Sequence, residues 1–223
     1  MTVRIHMHNA LGRISDKLES EILAGVHEGV QRMKECVEVD NVDISIVLED
    51  FVDEVTGYGG MACGPEYCRI SVDPLNPDLG KYAHDALPAV TVHELHHVLR
   101  MRSFKLKGLT KGWCGASVIA LEGLATQAEK FLGFGVPNNV NGVSVEQTIT
   151  FLQKLKPIAE DEEADYYWIY ELNGMPKRTY RVMYPMGYHL VGAYLQKTGK
   201  SPIKALCDPW KEIWETGMKE LGL

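Results

Sequence analysis

The 223-residue chain lacks any apolar run long enough to span a bilayer, and no apolar stretch preceded by positive charge opens its N-terminus. We therefore expect neither a membrane anchor nor a signal peptide. Cysteine is scarce, and its five residues, an odd number without close paired spacing, suit reduced thiols better than a disulfide framework. Together these absences predict a cytoplasmic protein without a membrane partner.

Basic residues are in the minority, with 23 Lys and Arg against 30 Asp and Glu and a formal net charge of −7. A nucleic-acid partner normally requires a basic patch, so we expect none. The acidic run from Glu160 to Asp165 is most simply a solvated loop. The functional alternative is that it repels acidic peptides or attracts basic ones.

No linker rich in proline, glycine or serine divides the chain, and 45% hydrophobic residues suffice for one full core. We predict a single α+β domain over residues 1–223, with a sheet and a helix in roughly 1–102 and a mainly helical part in 103–223. Within it we expect an amphipathic helix over 15–35, a strand at Val42–Leu48 and a hairpin near 166–184.

Residues 93 to 97 spell His93-Glu94-Leu95-His96-His97, an H-E-x-x-H pattern. On a helix, His93 and His97 lie one turn apart and point to the same side, so both imidazoles can reach one Zn²⁺. Glu94 lies about 100° round the helix from His93, so its carboxylate can reach a metal-bound water without binding the metal. The pattern predicts a zinc site with Glu94 as general base.

The surroundings of this motif favour a metal site over a chance match. The bulky apolar residues fall on the face opposite His93 and His97: Val92, Leu95, Val98 and Leu99. The helix should therefore pack by one face and offer its histidines from the other. His96 points to the other side of His93, away from Glu94, and we expect it at a solvated flank position or in contact with a ligand.

A catalytic zinc usually takes three protein ligands, and Glu122 is the best candidate for the third. It lies in a stretch apolar on nearly every side, residues 116–126, which predicts a buried helix. A buried carboxylate must be metal-bound, hydrogen-bonded or paired, so a partnership with a buried Arg or Lys is the alternative. Glu129, nearly on the same helix face, is the runner-up ligand or a partner of a histidine. Its polar neighbours favour a solvated position.

The strings His93 to Arg100 and Glu122 to Ala125 resemble the paired motifs of a family of uncharacterised predicted zinc-dependent proteases of the gluzincin type. The resemblance implies Glu122 as third ligand and one zinc ion per chain. It also implies a zincin-like fold, in which a small twisted sheet with the active-site helix precedes a mainly helical C-terminal half.

The resemblance covers roughly residues 55 to 196, because it extends upstream to Gly59-Gly60 and 70–74 and downstream to 184–188. The first 50 or so residues match no motif. Thr126 is a departure, since the family implies an acidic residue after Ala125. This departure affects an outer contact and leaves the ligands unchanged.

The expected chemistry is hydrolysis of a peptide bond. Zinc lowers the pKa of its bound water to about 7, Glu94 takes the proton, and the hydroxide attacks a carbonyl polarised by the metal. Glu94 then passes the proton to the leaving amine. The candidates for a second donor to the oxyanion are Tyr184, Tyr188 and His189, and the resemblance favours Tyr184. Aromatic residues at helical spacing, such as Tyr188 and Tyr194, more often belong to a core.

An extended substrate needs a strand edge to pair with. Cys68 to Asp73 alternates like a half-buried strand just before the metal helix, and by resemblance it is the candidate substrate edge. The glycine-rich segment from Gly57 to Gly60 is either a mobile rim or, more simply, a hairpin turn.

Three classes of function compete on this evidence. A zinc metallopeptidase acting on a peptide or protein substrate leads. A zinc-dependent hydrolase of a non-peptide amide or ester would use the same residues. A catalytically inactive metal-binding protein is the third, and the presence of Glu94 speaks against it because a structural site needs no base. Two imidazoles and a carboxylate most often indicate zinc, although Co²⁺ and Mn²⁺ accept the same ligands.

Overall fold

The structure is a computed structural model that describes residues 2–50, 52–104, 114–137, 140, 142–162 and 182–223. The chain divides into two compact units, one of residues 1–109 with 132–134 and the other of 110–131 with 135–223. The division falls near the sequence-predicted boundary at 102/103, and the single domain stays a prediction. The α+β class is confirmed for the described residues.

The first unit combines a four-stranded sheet with three helices among its described residues. In chain order its elements are β1 (Val3–His8), α1 (Asp16–Lys34), β2 (Val42–Leu48), β3 (Tyr58–Gly64), β4 (Tyr67–Val72), α2 (Leu79–Tyr82) and α3 (Ala86–Ser103). Two of the predictions are confirmed. The amphipathic helix begins at the Ser15 cap, whose side chain accepts a hydrogen bond from the Leu18 amide, and the Val42–Leu48 strand has the predicted bounds.

The strands are ordered β1-β2-β4-β3, with β1, β2 and β4 parallel and β3 antiparallel to β4. Strand β2 shows why the sheet forms, because Val42, Ile44 and Ile46 are completely buried while the residues between them are partly exposed. Helix α3 packs against β3 and β4, and α1 packs against α3. In the first unit, α3 therefore packs against one end of the sheet and against α1.

Strand β4 lies inside the sheet, so the prediction that Cys68 to Asp73 forms the substrate edge is wrong. Within the described residues the outer strand on that side is β3. The predicted hairpin turn at Gly57 to Gly60 is also wrong, because Gly59 and Gly60 belong to β3 and the turn comes later, at residues 65–66. Both errors have one cause: β3 is rich in glycine and has no β-branched residue, so its composition does not indicate a strand.

Helix α3 is buried on nearly every side, which corrects the prediction that it packs by one face. From Leu87 to Met101 every residue except Val90 is buried. The reason is its central position, with two strands and α1 packed against it. At its C-terminal end the Arg102 guanidinium donates hydrogen bonds to the carbonyl oxygens of Pro65 (2.9 Å), Asp40 (2.9 Å) and Asn41 (3.2 Å), which fixes the helix end against the β3–β4 turn.

The second unit is helical throughout its described residues. Its elements are α4 (Gly115–Phe131), α5 (Val145–Leu155), α6 (Met183–Thr198), a 3₁₀ helix (Lys204–Cys207) and α7 (Trp210–Glu220). A shared core joins α4, α5, α6 and α7 and includes Ile119, Leu124, Leu190 and Trp214. Most of the predicted hairpin near 166–184 lies outside the described residues, and its last two residues, Met183 and Tyr184, are the first residues of α6.

Helices α4 and α6 touch through their backbones where Gly123 meets Gly187. A Cβ atom on Gly187 would lie 2.5 Å from the Ile119 carbonyl oxygen and 2.8 Å from the Gly123 Cα, and one on Gly123 would overlap the Gly187 carbonyl group. Such a crossing admits no side chain at either position. The glycines of the two sequence motifs are therefore packing residues that hold Glu122 on α4 and Tyr188 on α6 beside the crossing.

We predict that Gly187→Ala destabilises the protein by about 1–3 kcal/mol relative to Gly192→Ala, because its methyl group meets backbone atoms that no rotamer change can move. Gly192 is the matched control. It lies on the same helix and gains the same helix propensity, but its Cβ would meet only the flexible Gln127 side chain closely. The measurement is chemical denaturation of both variants, and equal stability would contradict the backbone crossing.

Candidate metal centre

Helix α3 presents the H-E-x-x-H motif near its middle. Pro88 is tolerated because it lies in the first turn, where backbone amides have no partner within the helix. The rings of His93 and His97 lie one turn apart with centroids 4.6 Å from each other and planes at 89°. Both imidazoles therefore lie on one side of the helix, as the sequence spacing predicts.

All three charged or ligating positions of the motif are withdrawn from water, with His93 8%, Glu94 6% and His97 4% exposed. Burial strengthens any electrostatic interaction that these groups make, since less water screens it. The Glu94 side chain lies against strand β3 at Gly60, where its Cγ, Cδ and Oε1 atoms occupy the space that a side chain on the strand would need. The general-base candidate is thus in contact with the outer strand of the sheet.

The negative charge of Glu94 also affects the pKa values of two thiols, one on β3 and one on β4. Burial raises the pKa of the Cys68 thiol well above its usual value, and the Glu94 carboxylate raises it further. Burial likewise raises the pKa of Cys63, where Arg69 acts in the opposite direction and Glu94 in the same one. Both cysteines are therefore held as neutral thiols, and all five cysteines of the chain are free. The carboxylate of Glu94 lies on the β3–β4 side of α3.

Glu122 lies near the middle of α4, which confirms the helix predicted there, but its side chain is partly exposed, so the predicted burial of the carboxylate is only partial. The next turn carries Thr126, whose buried hydroxyl donates hydrogen bonds to the backbone oxygens of Glu122 (2.9 Å) and Gly123 (3.1 Å). Thr126 therefore satisfies its own hydroxyl within the helix. This explains how a threonine is accommodated where the family resemblance implies an acidic residue.

His93, His97 and Glu122 form a group that could hold a metal ion, since one ligand atom from each lies within 4.8 Å of the others. Two imidazole nitrogens and a carboxylate oxygen are the donor set of catalytic zinc sites such as those of His₂Glu type, in which a fourth position is kept for water. The residues present therefore fit a zinc ion.

Glu129 and His96 are not members of this group among the described residues, and both are buried. The predicted solvated positions are therefore wrong for both. Polar neighbours were a misleading guide to Glu129, because the Gln127 side chain is used inside the protein, where its amide donates a 2.7 Å hydrogen bond to the Tyr188 carbonyl. His96 is buried because α3 is enclosed on nearly every side.

The three candidates for an oxyanion donor lie in the first turns of α6. Tyr184 is partly exposed. Tyr188 is buried and its ring packs edge-on against the His189 ring, with the Lys130 ammonium 5.4 Å from the Tyr188 ring centroid. The His189 Nε2 atom lies 3.3 Å from the Val143 carbonyl oxygen. A role for any of them in catalysis stays a prediction.

Tyr194, in contrast, is a core residue, as helical aromatic spacing suggests. Its side chain is completely buried in the second unit, and its hydroxyl donates a hydrogen bond to Asp208 at 2.5 Å. Lys200 donates to both oxygens of the same carboxylate at 2.8 Å. Burial and the nearby carboxylates raise the pKa of the Tyr194 hydroxyl far above its usual value, so it serves as a structural donor.

Sequence reasoning placed Gly60 in a rim or hairpin turn and gave no role to Arg102, but both residues act on α3. Arg102 fixes the end of the helix, and Gly60 admits the Glu94 side chain. The glycine pair at 59–60 was a usable signal, because a glycine inside a strand indicates a close approach of another group. Nothing in the sequence around Arg102 indicated its carbonyl partners.

A family model described as a predicted Zn-dependent protease (DUF2268) matches residues 23–215. The match covers most of the chain, and the chain belongs to this family. The matched region starts earlier than the motifs recognised from the sequence and includes most of α1. No curated protein and no solved structure matches the chain. Among the described residues, no helix is long and apolar enough to cross a membrane.

We predict that zinc content separates the candidate ligands. His97→Ala and Glu122→Ala should each weaken zinc binding by more than about 100-fold. Removing a residue that only hydrogen-bonds to a metal ligand typically costs about 10–100-fold in affinity. Glu129→Gln is the matched control, since it changes a buried glutamate seven residues along the same helix. Elemental analysis after dialysis against a chelator series provides the measurement. Zinc retained in Glu122→Ala and lost in Glu129→Gln would show that Glu129 is the ligand.

Proposed function

We propose that this member of the predicted Zn-dependent protease family is a zinc metallopeptidase of the gluzincin type that hydrolyses peptide bonds. One zinc ion per chain is held by His93, His97 and Glu122, and Glu94 is the general base. The observation that supports the proposal most is the geometry of α3, in which two histidine rings lie 4.6 Å apart and Glu94 follows the first of them in the chain. A zincin-like arrangement of sheet, active-site helix and C-terminal helices is part of the proposal.

The donor set favours a catalytic over a structural zinc. Structural sites are normally closed by four protein ligands, most often with cysteines among them, whereas catalytic sites use three and keep one position for water. The group found among the described residues has three members and no thiol. A structural site also needs no general base, whereas a catalytic site does, and Glu94 directly follows the first ligand in the chain.

Bound zinc supplies a lowered pKa for water and polarisation of the substrate carbonyl. Glu94 accepts one proton from the attacking water as the new carbon–oxygen bond forms. It then donates that proton to the amine nitrogen as the carbon–nitrogen bond breaks, so protons balance over one turnover. Burial of Glu94 favours this role, because the carboxylate is held in one place beside β3 and exchanges little with bulk water.

Tyr184 is the preferred donor to the oxyanion. Tyr188 is committed to packing against His189, and His189 itself lies within hydrogen-bonding distance of the Val143 carbonyl oxygen. Tyr184 lies in the first turn of α6 and is more exposed than Tyr188. It also matches the position that the family resemblance favours. Its hydroxyl would stabilise negative charge that develops only during the reaction.

We further propose that an extended peptide pairs with the edge of β3 that faces away from β4, between Gly59 and Ala62. This strand replaces β4 as the substrate edge, because β4 is paired on both sides and β3 is the outer strand of the described sheet. Edge backbone groups provide hydrogen bonds to any peptide of extended shape. The same strand contacts Glu94, so a peptide on this edge would run beside the general base.

A hydrolase of a non-peptide amide or ester is the second candidate, because the same three ligands and base perform that reaction. The β3 edge favours the peptidase, since a small amide has no use for a strand of backbone donors and acceptors. A peptide library tested beside a panel of small amides and esters separates the two functions. Cleavage confined to the small-molecule panel would support the hydrolase.

We predict that Glu94→Gln lowers kcat by about 10²–10⁴-fold, the range typical of general acid–base catalysis, while zinc content stays at the parent level. The amide keeps the size of the side chain and cannot accept the proton. Glu28→Gln, which removes an exposed glutamate on α1, should keep parent activity. Parent-like kcat in zinc-loaded Glu94→Gln would contradict the role of base, and loss of zinc would show that Glu94 is a ligand.

We predict that Tyr184→Phe lowers kcat by about 10²–10³-fold, the usual cost of removing one oxyanion donor, with a small change in KM. Tyr188→Phe is the matched control one turn along α6 and should stay within a few-fold of the parent. Steady-state kinetics on the substrate found in the library provides both constants. The reverse order of effects would assign the donor role to Tyr188.

A further inference from the structure

Strand β3 passes α3 with no room for a side chain at position 60. A Cβ atom built on Gly60 would lie 2.5 Å from the Cγ of Glu94 and 2.8 Å from both its Cδ and its Oε1. Ordinary van der Waals contact requires about 3.5 Å between such atoms. Any residue other than glycine would therefore push the Glu94 side chain by about 1 Å.

The close approach is specific to Glu94 and is not a general demand of the strand. Gly64 lies on the same strand, and a Cβ atom there would meet nothing within 4 Å. Gly60 pairs with Ile70 of β4, which is completely buried, so position 60 faces the inner side of the sheet, where α3 packs. The missing side chain at position 60 thus makes space for one carboxylate.

The effect of Glu94 on two nearby thiols agrees with this placement. Its negative charge contributes to the raised pKa of Cys63 on β3 and of Cys68 on β4, after the larger effect of burial. The carboxylate is therefore directed toward these two strands.

We propose that Gly60 is a positioning residue for the general base: by having no side chain, it lets β3 hold Glu94 in the conformation needed for proton transfer. The catalytic part of this inference rests on the proposed function, and the contact itself does not. A displacement of about 1 Å at a reacting group typically costs on the order of 100-fold in rate. The three atoms nearest to the added methyl group all belong to Glu94.

The first arm of the test measures catalysis in Gly60→Ala and in the matched control Gly64→Ala, with fluorescein-labelled casein as probe substrate. Zinc-loaded Gly60→Ala should lose about 100-fold in kcat while KM and zinc content stay near those of the parent. Gly64→Ala should keep parent kcat. Equal kcat for the two variants at equal zinc content would overturn the proposal.

The second arm needs no activity and uses a double-mutant cycle in thermal unfolding. Glu94→Ala removes Cγ, Cδ and Oε1, the three atoms that the new methyl group would meet. Gly60→Ala should lower Tm by about 3 °C in the parent and by nothing in the Glu94→Ala protein, with all proteins zinc-loaded. The same decrease in both backgrounds would overturn the proposal, because the strand would then need glycine for another reason.

The two arms separate this inference from the proposed function. A zinc-loaded parent that cleaves neither casein nor a peptide library contradicts the peptidase. The cycle still decides whether Gly60 makes space for Glu94, because coupling in Tm depends only on the contact. Coupling between the two substitutions in Tm, in a protein that cleaves no peptide, would support the contact between Gly60 and Glu94 and would reject the proposed peptidase activity.

Discussion

The backbone hydrogen bonds of α3 set the separation of His93 and His97, and the other features of the first unit serve to keep this helix in place. Its apolar residues are buried against β3, β4 and α1. Helix α1 approaches closely because Gly29 has no side chain, and a Cβ atom there would lie 2.6 Å from the Pro88 carbonyl oxygen. Arg102 ties the other end of α3 to three carbonyl groups. A rotation of α3 by one residue, about 100°, would turn both imidazoles together away from their present direction.

Glycine performs the positioning throughout both units. Gly29 allows α1 to pack closely against α3, and Gly60 leaves space for the Glu94 side chain beside β3. Gly123 and Gly187 allow α4 and α6 to touch through their backbones. At each place a methyl group would overlap atoms of the neighbouring element. Close packing at these glycines can then hold Glu94 and Glu122 in place. No long side chain has to lose conformational entropy for this purpose.

The features that sequence could predict are those with a local period. The one-turn spacing of the histidines, the apolar stretch around Glu122 and the alternation in β2 each follow from the geometry of a single element. The predictions that were wrong concern features that depend on residues distant in the chain. The position of β3 as outer strand is decided by pairing between strands. The burial of His96 and Glu129 is decided by packing around α3 and α4. Local polarity, such as that of Gln127, is no guide where a polar side chain bonds to another helix.

The central claim is that zinc is held by His93, His97 and Glu122, with nitrogen and oxygen donors only. X-ray absorption at the zinc edge of the loaded full-length protein tests it most directly. The account predicts a first shell of nitrogen and oxygen at about 2.0–2.2 Å with imidazole scattering from two histidines. A sulfur shell at about 2.3 Å would contradict it and place the metal on cysteine thiols.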